Sequence, residues 1–112
     1  MGFRIAFASI DGTRVDQHFA SARYWQIYDI DSQAHFVETR KPLYLHQGHC
    51  EGGFGPLLTL LSDCHAIFVT RIGQAAAIAL MRSGKRVFEA SGQINDILDQ
   101  LIRGNLLKDN NR

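Results

Sequence analysis

The sequence predicts a single α/β domain with a mixed sheet of about five strands flanked by helices. Two continuous apolar runs, FRIAFASI at 3–10 and AIFV inside 65–70, have the composition of strands buried on both faces. Between them, 24–30 and 34–40 alternate apolar and polar residues around the turn pair Asp31-Ser32, which is the pattern of an antiparallel hairpin. After AIFV the chain runs helix, short strand, helix, so a right-handed strand-helix-strand crossover follows. A chain of 112 residues with 46% hydrophobic and 21% charged residues has the mass and composition of one globular unit.

Each element has its own signal. Asp11-Gly12 ends the first strand as a strong turn pair, and TRVDQHFASA reads as a loop. Tyr24–Ile30 and Ala34–Arg40 form the hairpin, which Pro42 stops. Residues 42–55, PLYLHQGHCEGGFG, contain four glycines and no regular period, and read as a long functional loop. Gly55-Pro56 opens a short leucine-rich helix that ends near Ser62, since proline is suited to a first helical position. After AIFV, Arg71-Ile72-Gly73 leads into QAAAIALMRSG, an alanine-rich helix capped by Gly84. Arg86–Glu89 is a short strand. The last helix is expected to start near Ser91 or Gly92 and to place Ile94, Ile97, Leu98, Leu101 and Ile102 on one face. The domain is bounded at 1–104, and the polar tail 105–112 is expected to fray.

Charge and cysteine content exclude several classes of function. Twelve Lys and Arg against eleven Asp and Glu leave +1, which supplies no broad attraction to nucleic acid or an anionic membrane. Two cysteines make no disulfide framework, and the first apolar run is too short for a signal peptide or membrane span, so a cytoplasmic, reduced setting is expected. No GxSxG, GxxxxGK[ST], GxGxxG or HExxH occurs. The aspartates at 11 and 31 sit in turn pairs, and no basic surface accompanies a two-metal nuclease reading.

Ligands of open α/β sheets collect at the carboxyl ends of parallel strands. Two segments qualify, Ser9–Phe19 after the first strand and Thr70–Gly73 after AIFV. If those strands are adjacent and parallel, His18, Arg71 and the amides after Gly73 share one rim that could take an anion. His18 could be a metal ligand with Asp16 orienting one ring nitrogen, or a surface histidine packed on Phe19. In HQGHC, Cys50 is either a metal or cluster ligand or an exposed thiol, and His46 and His49 stay open. A structural zinc site is disfavoured, because only Cys64 and His65 could complete it and paired CxxC spacing is missing. Cys64 is assigned to the core, His35 to the hairpin surface and His65 to the start of a strand. Arg14, Arg23, Arg40 and Arg71 could hold a bound anion or form a solvated rim. Gly12 and Gly73 are read as serving backbone geometry.

Several motifs occur together: S-x-D-G at 9–12, D-x-H-F at 16–19, I-Y-D at 27–29, Asp63-Cys64 before the apolar strand, R-I-G at 71–73 and G-x-x-V-F-E-A at 84–90. With them, the chain from about Arg4 to Leu101 resembles the nitrogenase iron-molybdenum-cofactor-binding family, the group of NifX, the NafY core and the C-terminal part of NifB. The resemblance implies a ribonuclease-H-like fold without nuclease activity. It also implies a non-enzymatic carrier of iron-molybdenum cofactor, or of an iron-sulfur precursor, during nitrogenase assembly. His18 is then the leading ligand and Cys50 a second one, with Ser9, Asp16, Phe19, Arg71 and Gly73 around the cargo. Nitrogenase assembly proteins are the implied partners. The family pattern continues with glycine after D-x-H-F, whereas this chain has Ala20. The competing reading is a metal-free interaction or regulatory module on the same fold.

Overall fold

The computed structural model describes residues 2–42 and 55–104. In chain order its elements are β1 (Phe3–Ala8), β2 (Arg14–Val15), β3 (Trp25–Ile30), β4 (Ala34–Arg40), α1 (Gly55–Leu60), β5 (Ala66–Val69), α2 (Gln74–Arg82), β6 (Arg86–Glu89), β7 (Gly92–Gln93) and α3 (Ile94–Gly104). Five strands form one mixed sheet in the order β4-β3-β1-β5-β6. The β4, β3 and β1 strands are antiparallel neighbours, whereas β1, β5 and β6 run parallel, with Ile5 opposite Ala66 and Phe7 opposite Phe68. A two-stranded ribbon, β2 with β7, lies apart from it.

The apolar runs are continuous because both faces of the sheet are covered. On one face Ala6, Ala8, Trp25, Ile27, Ile67 and Val69 share a core with Leu61, Ala76 and Leu80, so α1 and α2 form that layer. On the other, Ile5, Phe7, Ala66 and Phe68 pack with Ile94, Leu98 and Leu101 of α3 and with Val15 of the ribbon. Five aromatic rings cross this second face in a row from Phe88 through Phe68, Phe7 and Tyr28 to Phe36. Their centroids are 4.6, 5.1, 5.6 and 5.4 Å apart in sequence. Such stacked and edge-to-face contacts tie all five strands together sideways.

The hairpin, AIFV and Arg86–Glu89 strands form where the sequence places them. Three local readings are corrected. The first strand ends at Ala8 and not at Ile10, because Ser9 Oγ accepts the Gly12 N–H at 3.0 Å and starts the turn, with Gly12 at φ 84°. The segment read as a plain loop contains β2. The last helix starts at Ile94, since Gly92 and Gln93 are used in β7. The 42–55 loop reading falls almost wholly, and the 105–112 tail reading wholly, outside the described residues. No helix among the described residues is long and apolar enough to cross a membrane.

Candidate functional site

The carboxyl ends of β5 and β6 and the segment 18–20 open into a solvent-facing cavity of about 470 Å³. Its construction starts with the chain leaving β2. The Asp16 N–H donates to Ala8 O at 3.1 Å, the Thr70 N–H to Gln17 O at 3.0 Å and the Phe19 N–H to Arg71 O at 2.9 Å. Residues 17–19 thereby continue the parallel pairing along β5, with His18 opposite Arg71. Phe19 is buried and meets Trp25 edge-to-face at 5.8 Å, so it anchors the segment while its neighbour His18 stays exposed at the cavity wall.

The facing wall is the entrance to α2. Ile72, Gly73, Ala75 and Ala76 line it, with Arg71 beside His18. The N-terminal amides of a helix lack partners within the helix and carry its positive dipole end. No acidic residue sits in the first turn of α2 to offset them. Glu89, at the carboxyl end of β6, is the carboxylate of the rim, and its Oε2 accepts the Ile72 N–H at 2.9 Å. Glu89 is the acidic residue of the G-x-x-V-F-E-A motif, and its place on the rim is new. Its position at the end of the third parallel strand is the signal that points there, since sheet ligands gather at carboxyl strand ends.

Gly73 differs from the reading that gave it a backbone role. Its φ of −72° and ψ of 158° are open to any residue, and an added Cβ would meet nothing within 4 Å. Neither conformation nor internal packing requires glycine here, and the space above it is cavity. Ala20, the departure from the family pattern, lies in the turn after Phe19 and also lines the cavity.

The structure therefore brings His18, Phe19, Arg71 and Gly73 to one rim. Asp16 and Ser9 stand beside it. The Asp16 carboxylate accepts the Ile10 N–H at 3.3 Å, so it braces the loop instead of orienting the His18 ring. Ser9 is buried, its hydroxyl taken by the turn and its carbonyl by Gln26 Nε2 at 3.0 Å. Cys50, His46 and His49 lie outside the described residues. Cys64 is buried at the opposite end of the sheet, where burial pushes its thiol up to about 12. His65 Nδ1 accepts the Arg4 N–H at 2.8 Å, and exposed His35 lies 3.7 Å from Asp31. Arg40 is held by Glu38 and Asp63. Among the described residues, no group of three or more His, Cys, Asp or Glu is placed to hold a metal ion. Among the described residues the rim offers one exposed imidazole beside an arginine and the first amides of α2, a donor set able to give one metal ligand and to balance negative charge. It does not make a closed site for a bare ion.

Known proteins share this chain's sequence and fold. It is 30% identical over 87 residues to the FeMo cofactor biosynthesis protein NifB of Bradyrhizobium diazoefficiens, covering 71% of this chain and 17% of NifB. It is 32% identical over 87 residues to protein NifX of Rhodobacter capsulatus, covering 72% of this chain and 55% of NifX. The chain thus spans about half of that NifX and less than a fifth of that NifB. The crystal structure of PH0822 superposes with a TM-score of 0.73 at 25% identity, over 90% of this chain and 91% of that one. A family model described as dinitrogenase iron-molybdenum cofactor matches residues 1–104, and the chain belongs to that family.

Proposed function

We propose that this protein is a non-catalytic carrier in iron-molybdenum-cofactor biosynthesis, binding the cofactor or an iron-sulfur precursor of it at the cavity between residues 17–20 and the start of α2. The named role of the NifB relative supports the process. The observation that carries the site is the pairing of an exposed imidazole with a glycine the protein itself does not need. His18 stands on a wall fixed by backbone hydrogen bonds to β5, and Gly73 leaves the helix entrance bare opposite it. A cluster seated there would take His18 on an exposed metal, while Arg71 and the α2 amides balance its negative charge. One exchangeable imidazole and a few charge-assisted hydrogen bonds hold a cargo that must later be released. Cys50 is the second proposed ligand, and nitrogenase assembly proteins are the proposed recipients.

The test is anaerobic mixing with extracted iron-molybdenum cofactor, followed by desalting and measurement of protein-bound iron and molybdenum. Wild type is expected to retain the cluster and show its broad absorbance. His18→Ala should bind at least tenfold more weakly, and Gly73→Val should bind more weakly with its fold intact, because a side chain there enters only the cavity. Cys50→Ala in the same assay decides the second ligand. Equal retention by His18→Ala removes His18 from the site, and no retention by wild type removes the carrier reading in favour of the metal-free module.

A further inference from the structure

The outward face of α2 is unlike the rest of the surface. From Cys64 to Phe88 the chain contains Arg71, Arg82, Lys85 and Arg86 but no Asp or Glu; the carboxylates that flank the stretch are Asp63, paired with Arg4 and Arg40, and Glu89, bonded to the Ile72 N–H at the rim. Within this stretch Ala76 and Leu80 bury one side of α2, and Ala75, Ile78 and Met81 fall three apart along the opposite side. Ile78 is 41% exposed and Met81 54%. Ala75 also lines the cavity, so the apolar line begins at the rim beside His18 and runs away from it. Arg71 precedes the line and Arg82 ends it. Both are exposed, and neither makes an ion pair among the described residues, whereas Lys85 is spent on the carbonyls of Ser62 and Cys64 at 3.0 and 2.9 Å.

We infer that this face of α2 is the docking surface for a partner protein that presents an apolar ridge flanked by carboxylates, as an acidic amphipathic helix does. Charge complementarity selects that occupant: apolar side chains meet Ile78 and Met81, while carboxylates meet Arg71 and Arg82. A second copy of the chain fits poorly. An α2-to-α2 contact would set arginine against arginine, and a face whose exposed large apolar side chains are Ile78 and Met81 is small beside the roughly 800 Å² per partner of a stable interface. A small, charge-steered surface suits a brief encounter next to the cavity. The purpose assigned to that encounter, handing cargo across, rests on the carrier reading; the docking surface does not.

The probe is a synthetic helical peptide with leucines at three- and four-residue spacing flanked by glutamates, titrated into ¹⁵N-labelled full-length protein. Amide shifts should concentrate between Arg71 and Arg82 and weaken with added salt. Ile78→Glu and Arg82→Glu should stay folded, with Tm lowered by no more than a few degrees, about what 1 kcal/mol costs, and lose at least tenfold in peptide affinity. Ile78→Glu should still take up extracted cofactor as wild type does. Shifts centred elsewhere, equal binding of a lysine-flanked version, or unchanged affinity in both variants overturns the inference. So does a wild-type dimer in sedimentation that Ile78→Glu abolishes, or recruitment to phosphatidylserine vesicles in place of the peptide. Cofactor uptake is measured separately, so a failed carrier reading and a failed docking surface give different results.

Discussion

His18 and Phe19 divide two tasks between adjacent side chains. Phe19 is fully buried against Trp25 and holds the segment, which leaves His18 free to face solvent on a fixed wall. Cys64 shows the reverse, a chemically capable group made inert by its surroundings. It is 2% exposed, and desolvation raises its thiol to about 12, so the thiolate that reacts with electrophiles is scarce at neutral pH. In Cys50→Ala protein, where Cys64 is the sole thiol, maleimide at pH 7.5 should give no label under native conditions and full label in denaturant. Rapid native labelling would show that Cys64 is reachable and would reopen it as a ligand.

Among the elements, the β2–β7 ribbon does most to place the site for its size. Arg14 pairs with Gln93 and Val15 with Gly92, and the Ile94 N–H donates to Thr13 O at 2.9 Å. Buried Val15 then pins the chain just before it turns toward His18. Gly92 has φ 140°, a conformation that side chains rarely adopt. Gly92→Ala should therefore cost about 1–3 kcal/mol, read from the urea midpoint, and should speed hydrogen exchange at the Ile94 amide. An unchanged midpoint would mean the ribbon tolerates a side chain there. This ribbon was also the element least legible in the sequence. Two-residue strands have no period to detect, and their pairing joins segments some 78 residues apart, so Gly92-Gln93 read as the start of a helix. AIFV was legible because burial on both faces leaves a continuous apolar run, and the hairpin because the Asp31-Ser32 turn separates two strand-like segments, although β3 is buried and β4 mostly exposed. At the site, the D-x-H-F loop and the Thr70–Gly73 turn could be brought together once the strands were assumed parallel. The Asp16 carboxylate could not be placed, because its partner is a backbone amide that no side-chain pattern records.

Over the whole molecule, the cavity and the main charge network are built from separate residues. The cavity lies at the carboxyl ends of the parallel strands β5 and β6, and the network of charges includes none of its lining residues. Arg4 bonds Asp29 at 2.7 Å and Asp63 at 2.8 Å, while Arg40 bonds Asp63 at 2.7 Å and Glu38 at 2.6 Å. One chain of contacts thus links β1, β3 and β4 to the segment before β5. Hydrogen bonds from Arg40, then Arg4, hold the Asp63 carboxyl well below the usual carboxylate range, and Arg4 lowers Asp29. A carboxylate depressed in the folded state stabilises fully above its unfolded value, about 3.9, and loses that contribution as pH falls toward the folded value. Because these side chains are over two-fifths exposed, screening keeps the benefit small. Asp63→Asn should lower stability at pH 7 by about 1 kcal/mol, roughly 4 °C in Tm. The two Tm curves should converge between pH 5 and pH 2, where wild type loses what the variant already lacks. Cofactor uptake at pH 7.5 should be unchanged, since no residue of the network lines the cavity beside His18. A variant whose Tm stays parallel to wild type through that range would show that Asp63 contributes by packing and not by its charge, and impaired uptake would show that the network and the cavity are coupled.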